Sequence, residues 1–187
     1  MNFIPTALTG VIVVEPEVFR DERGFFLETF SRAKYARGGI DCEFLQDNHS
    51  RSQRNTIRGL HAQRQHPQGK LVRVLIGSIL DVVVDIKRDS PTYLKWISVE
   101  LSADNFRQIY VPPGFAHGIC ITSDVADIEY KCTDYYDPSD ELRIAWNDPA
   151  IGIRWPIENP ILSDKDRQAV TLAEQQGFLP HYSEAQP

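Results

Sequence analysis

The stretch TIRGLHAQRQHPQGK, from Thr56 to Lys70, crowds Arg58, His61 and Lys70 around Gly59 and Gly69. Imidazole is the side chain whose charge changes near neutral pH, and cations beside it suit three chemistries. The group could cradle a metal ion, bind an anion, or run a proton transfer. Residues of matching types stand elsewhere: VPPGFAHG carries His117, DIEYKC carries Tyr130, and LSDKD carries Asp164 and Asp166. Asp81 and Asp85 flank a valine run at even spacing, which turns both carboxylates to one strand face, and so inward together.

These groups need a scaffold, and composition bounds it. At 187 residues the chain suits a single domain over 1–187, and 42% hydrophobic residues supply a core without disulfides. The formal charge of −6 repels polyanions, and no basic stripe reverses this locally, so a nucleic-acid partner is not expected. Cys42, Cys120 and Cys132 show no CxxC spacing, against a disulfide framework or a structural zinc site. The opening MNFIPTALTGVIVV lacks the basic segment of a signal peptide. The apolar runs fall far short of the roughly 18 residues that suggest a membrane span. The expectation is a soluble protein of the reducing cytoplasm, with no membrane partner.

Strand signals dominate. KLVRVLIGSILDVVVDI, residues 70–86, predicts two β-branched runs folded into a hairpin at Gly77-Ser78. Further strands are predicted in VIVVEPEVF, GFFLETF, CEFLQDNHS, KWISVEL, RQIYVPP, GICITS and DIEYKCTDYY, each bounded by turn-forming residues. Helix is confined to SRAKYARGG, a turn at SADN, and a C-terminal helix in SDKDRQAVTLAEQQG with Ser163 as N-cap and Gly177 as C-cap. Many short strands with close turns predict an antiparallel sandwich or barrel.

Pro112-Pro113-Gly114-Phe115-Ala116-His117 has the Pro-x-Gly-x-x-His spacing that resembles the second motif of cupins. That resemblance implies an all-β, cupin-like double-stranded β-helix, or jelly roll, with a few short helices and the C-terminal one. In metal-binding cupins the first motif supplies His-x-His followed shortly by Glu. Here it reads His61-Ala62-Gln63, no Glu follows before Lys70, and an ammonium group repels a divalent ion. No metal is expected, which opposes a metal-dependent cupin oxygenase. Beyond the cupin motif, FRDERGFFLETF, QDNHSRS, IRGLHAQ, QGKLVRV, DVVVDI, SPTY, LSADNFRQIYVPPGFAHG, YKCTDYYDP, WNDPAIGIRWP and LSDKD follow in one order along nearly the whole chain. In that series the sequence resembles the dTDP-4-dehydrorhamnose 3,5-epimerase family. The resemblance implies a homodimer that needs no cofactor. Its substrate is implied to be dTDP-4-dehydro-6-deoxyglucose, inverted at C3 and C5 to dTDP-4-dehydrorhamnose. The alternatives are a 3-epimerase of another deoxysugar pathway and a non-catalytic sugar-nucleotide-binding cupin.

In a 4-ketohexose both C3 and C5 adjoin the carbonyl. Inverting either needs a base, a group that holds the enolate, and an acid on the opposite face. The resemblance implies His61 as base with Asp166 as its partner, and Tyr130 as acid; Lys70 suits the developing O4 charge. It also implies Arg23 and Arg58 on the diphosphate, and Gln46 and Asn48 around nucleotide and sugar. Phe26 of a partner subunit and Tyr136 are implied as stacking platforms, with Glu28 at the base edge and His117 in the sugar site. Pattern alone leaves other readings open. Asp166 follows Ser163 at capping-box spacing, with Asp164 a rival partner for His61. Tyr130 also fits an ordinary strand aromatic, Lys70 a solvated hairpin residue, Arg58 a surface ion pair, and His117 an interior histidine bracing a turn. Ala62 and Ile119 depart from the aromatic residues common in the family and border the implied sugar pocket.

Overall fold

A computed structural model describes residues 1–181; the end of the expected 1–187 domain, residues 182–187, lies outside the described residues. The strands are β1 (Asn2–Pro5), β2 (Ile12–Glu15), β3 (Val18–Asp21), β4 (Gly24–Leu27), β5 (Gln46–Gln53), β6 (Ile57–Gln63) and β7 (Lys70–Ile76). They continue as β8 (Ser78–Asp85), β9 (Trp96–Ser102), β10 (Gln108–Val111), β11 (Phe115–Ile121), β12 (Val125–Cys132) and β13 (Glu141–Arg143). Helices are short: α1 (Arg32–Arg37), α2 (Asp164–Arg167) and α3 (Leu172–Gln175). No helix among the described residues is long and apolar enough to cross a membrane.

Alternation in the β-branched runs turns one side of each strand to a shared interior. The strands form a six-stranded sheet, ordered β1-β2-β10-β7-β12-β5, and a five-stranded sheet, ordered β13-β6-β11-β8-β9. Their facing sides interdigitate, with Val13, Val72, Ile109 and Ile128 from the first meeting Ile79, Val83, Leu101 and Ile121 from the second. Each such buried side chain contributes about 1.5–3 kcal/mol, against about 0–1 kcal/mol for a surface ion pair, so this core decides the fold. The result is the expected jelly roll. The outer side of the six-stranded sheet is covered at α1, where Tyr35 is buried and donates to Gln108 Oε1 at 2.9 Å. The outer side of the five-stranded sheet is covered by the C-terminal segment through Ile144, Ile151, Leu172 and Leu179.

Two expectations are corrected. The run over residues 70–86 is not a hairpin: β7 pairs with β10 and β12, whereas β8 pairs with β11 and β9 in the other sheet. Gly77 carries the chain across. Its φ is +77°, and a Cβ there would press into the Val125 carbonyl and Ser123 Oγ. A two-residue turn signal does not distinguish a hairpin from a step between facing sheets. The C-terminal helix is also not continuous. Ser163 caps α2 as expected, but Thr171 opens a second cap, closing a box with Glu174, and the Val170 carbonyl between them accepts from Ala145 N–H at 2.8 Å. Gly177 falls inside a 3-10 turn, Gln176–Phe178. That bridge, together with the Thr171 cap, outweighs helix continuation.

Gly77→Ala tests the crossing. Both the positive φ and the missing space oppose a side chain, so the expected cost exceeds ~1 kcal/mol. Thermal unfolding should fall by about 2–4 °C per kcal/mol lost. An unchanged melting temperature would contradict this role for Gly77.

Candidate active site

Strict alternation along β6 would send Arg58 and His61 to opposite faces. The ladder between β6 and β11 prevents this: His61 pairs with His117 but Arg58 pairs with Ile119, so three steps on β6 match two on β11. The extra residue is a bulge, and it returns both side chains to the interior face. Gly59 makes the bulge possible. At φ +124°, a Cβ there would lie 2.6 Å from Gly118 Cα and 2.8 Å from the His117 carbonyl oxygen. A Cβ on Gly118 would in turn lie 2.9 Å from Leu60 Cδ2.

The bulge opens onto a cavity of about 390 Å³ between the two sheets. From the five-stranded side, His61 Nε2 meets Asp166 Oδ1 at 2.5 Å. Asp166 Oδ2 accepts from Ser163 Oγ at 2.8 Å, and Ser163 Oγ accepts from Asp166 N–H at 3.2 Å. Asp166 therefore closes the helix cap and binds His61 together. Asp164, the rival, has a side chain 96% exposed and lies 3.7 Å from Arg167. Burial pushes the Asp166 carboxyl upward, but the hydrogen bond and charge of His61, the Ser163 hydroxyl and Lys165 outweigh it and leave the carboxyl below its ordinary range. With Nε2 facing Asp166, Nδ1 is the nitrogen left to exchange a proton.

The six-stranded side supplies the facing wall. Tyr130 stands opposite Val72 and Asn48 in the ladders, and Cys132 opposite Lys70 and Gln46, so all six side chains share the interior face. Burial raises the Tyr130 phenol above its ordinary value, and the Cys132 thiol adds to this against the Arg58 and Lys165 charges. The phenol is thus a protonated donor across the neutral range. Burial lowers the Lys70 ammonium, with Cys132, Glu141 and Asp81 opposing the shift. Lys70 forms no ion pair among the described residues.

His117 enters beside His61, its Nε2 2.9 Å from Oδ2 of the fully buried Asp81. Asp85 shares that inward face but sits at the strand end, accepting from Ser90 Oγ and Thr92 Oγ1 at 2.6 Å each. Gln63, where metal-binding cupins place a ligand, instead accepts from Asp137 N–H at 2.8 Å and donates to the His66 carbonyl at 2.6 Å. It ties two rim loops together. Gln46 Nε2 donates to Asn48 Oδ1 at 3.0 Å, and Gln46 Oε1 accepts from Tyr136 N–H at 3.0 Å. Arg58 Nε donates to Ser52 Oγ at 3.0 Å, with its side chain at the cavity wall.

The chain matches the dTDP-4-dehydrorhamnose 3,5-epimerase family model over residues 5–174. The chain belongs to this family. It is 49% identical over 181 residues to the dTDP-4-dehydrorhamnose 3,5-epimerase of Methanothermobacter thermautotrophicus, covering 95% of this chain and 98% of that one. It is likewise 49% identical over 181 residues to the enzyme of that name from Shigella flexneri, covering 96% and 100%. Among solved structures, a dTDP-6-deoxy-D-glucose-3,5-epimerase of Legionella pneumophila in complex with dTDP-4-keto-L-rhamnose superposes with a TM-score of 0.93 at 47% identity, covering 97% of this chain and 98% of that one.

In this member of the epimerase family the cavity gathers His61, Asp166, Tyr130, Lys70, Gln46, Asn48, Arg58, His117 and Tyr136. It does not gather Arg23, Phe26 or Glu28. These lie on or just after the β3–β4 ribbon, a two-stranded sheet separate from the sandwich. Arg23 pairs with Asp21 at 2.6 Å, Phe26 is 70% exposed, and Glu28 pairs with Lys34 at 2.9 Å. Two charged cavity residues escaped the sequence reading. Glu141 carries no local motif, and Lys165 sits inside LSDKD beside the more conspicuous aspartates. Lys165 Nζ binds Glu141 Oε1 at 2.9 Å and Oε2 at 3.0 Å. Burial pulls the Lys165 ammonium down, but the Glu141 bonds outweigh this and raise it above its ordinary value.

The Asp166 shift has a stability consequence. A carboxyl lowered on folding stabilises the native state above its unfolded value, about 3.9, and loses that contribution as pH falls through the folded value. Asp166→Asn should therefore be less stable than wild type at pH 7 by denaturant unfolding, with the gap closing as pH falls below about 4. A gap constant from pH 7 to pH 3 would contradict the dyad electrostatics.

Proposed function

We propose that this chain inverts C3 and C5 of dTDP-4-dehydro-6-deoxyglucose, giving dTDP-4-dehydrorhamnose, through enolate intermediates and without a metal. The observation that carries this reading is a proton acceptor and a proton donor entering one cavity from facing sheets. His61 takes the proton adjacent to C4, with Asp166 orienting the ring and stabilising the imidazolium. Lys70 stabilises the developing negative charge on O4 in a site with little water. Tyr130 then returns a proton from the other side, and the carbon is inverted. One feature supports a metal-free reaction: the Lys70 ammonium, without an ion pair among the described residues, shares the space of the cavity histidines and would repel a divalent ion.

Substrate recognition follows the same walls. Arg58 supplies a cation for the diphosphate, Gln46, Asn48 and His117 supply hydrogen bonds, and Tyr136 supplies a stacking face. A homodimer in the cytoplasm completes the reading, with residues 1–187 as one domain. The β3–β4 ribbon supports it, since it stands apart from the sandwich and carries Phe26 70% exposed, outside this chain's own cavity. The ligand named for the Legionella relative is the product this reaction would give.

Turnover in D2O followed by NMR tests the reading. Each inversion exchanges the substrate hydrogen for a solvent-derived one, so deuterium is expected at both C3 and C5. Label at C3 alone would reduce the activity to 3-epimerisation, with Ala62 and Ile119 in the cavity wall as its structural basis. Label at neither carbon would overturn the proposal in favour of a binding protein.

A further inference from the structure

The proposed chemistry leaves a proton imbalance that one inversion does not reveal. Each inversion moves a proton from substrate to His61 and another from Tyr130 to substrate. Afterwards His61 is an imidazolium and Tyr130 a phenolate. A second inversion of the same bound sugar needs both groups restored. In an empty cavity bulk water does this, but a bound sugar nucleotide leaves only trapped water and the solvent at the cavity mouth.

We infer that Glu141 restores His61 between the two inversions. The inference rests on the epimerase reading. Glu141 Oε1 lies 4.0 Å from His61 Nδ1, the nitrogen that Asp166 leaves to exchange protons. A separation of that size is spanned by one bridging water. The groups around Glu141 fix its position beside the dyad, and as cations they favour its passing a proton on over keeping it. Lys165 of α2 binds both of its oxygens, and Arg143, on its own strand, lies 3.8 Å from Oε2. The Glu141 side chain is only 7% exposed, whereas that of Lys165 is 43% exposed, so the pair runs from the dyad to the cavity mouth.

The transfer balances. The Nδ1–H bond of the imidazolium breaks, the bridging water receives that proton and passes its own to Glu141, and neutral His61 results. Glu141 releases the proton to solvent at the mouth, and that same solvent returns one to the Tyr130 phenolate, so no net charge is left in the cavity. No electrons move and no co-reactant is consumed. Glu141 thereby determines whether a sugar leaves inverted once or twice.

The experiment is the ratio of singly to doubly inverted sugar in early turnover in D2O, read by NMR. With Glu141→Gln, the first inversion is expected to persist while the second slows on the order of tenfold or more, so singly inverted sugar is released. Glu141→Asp keeps a carboxylate but withdraws it by one methylene and should fall between. If Glu141→Gln does not fold, the Glu141→Asp ratio decides alone. A wild-type ratio in either folded variant, or equal slowing of both inversions, would overturn the inference while leaving the epimerase reading intact. Wild-type enzyme that labels neither carbon would overturn both.

Discussion

Two glycine backbones in contact set the geometry of everything else in the cavity. A Cβ on Gly59 would lie 2.6 Å from Gly118 Cα, and one on Gly118 would lie 2.9 Å from Leu60 Cδ2 and 3.2 Å from the Arg58 carbonyl oxygen. That approach accommodates one extra residue in β6 beside β11. Without the bulge, alternation would turn either Arg58 or His61 out of the barrel. With it, a guanidinium and an imidazole three residues apart face the same space, next to His117 on the neighbouring strand. The cost is a backbone that only glycine adopts readily at that φ. It is met by the ladder on both sides of β11.

The sandwich supplies the second constraint. Its sheets face each other across a core of Val and Ile, and near its mouth the core gives way to polar side chains on the same inward faces. His61 enters the cavity from one sheet and Tyr130 from the other, which is the arrangement that inversion through a planar enolate requires. The electrostatics of the walls match their positions. Burial makes Tyr130 a reluctant acid, so its phenol stays protonated until a strong base meets it. Asp166 keeps its charge beside His61 because the imidazole and Ser163 outweigh burial. Lys70 holds its position without a paired carboxylate among the described residues.

Much of this was legible in the sequence. The strand segments around β5, β7–β12 and the Ser163 cap announce themselves through β-branched runs, turn residues and capping chemistry. His61 and Asp166 lie 105 residues apart, and only the order of motifs linked them before the structure brought them to 2.5 Å. The bulge at Gly59 was not legible, since a glycine in a strand signals irregularity without saying which side chains it redirects. Gly77-Ser78 carried hairpin residues yet joins two sheets, because turn propensity is local and sheet membership is not. A helix that composition favoured is broken by the Thr171 cap and by the bridge of Val170 to Ile144. Glu141 had no signal at all: its importance comes from Lys165 and His61, both distant in sequence.

The central claim is that acid and base occupy opposite faces of one substrate. It is tested most directly by separating exchange from inversion in single variants, using NMR in D2O. Tyr130→Phe keeps the base and loses the acid, so it should still exchange the hydrogens at C3 and C5 while returning deuterium largely with retained configuration. His61→Asn loses the base and should abolish exchange at both carbons, by a factor on the order of 10²–10⁴. If Tyr130→Phe inverts normally, or His61→Asn still exchanges both hydrogens, other residues perform the chemistry and the facing-wall account is wrong.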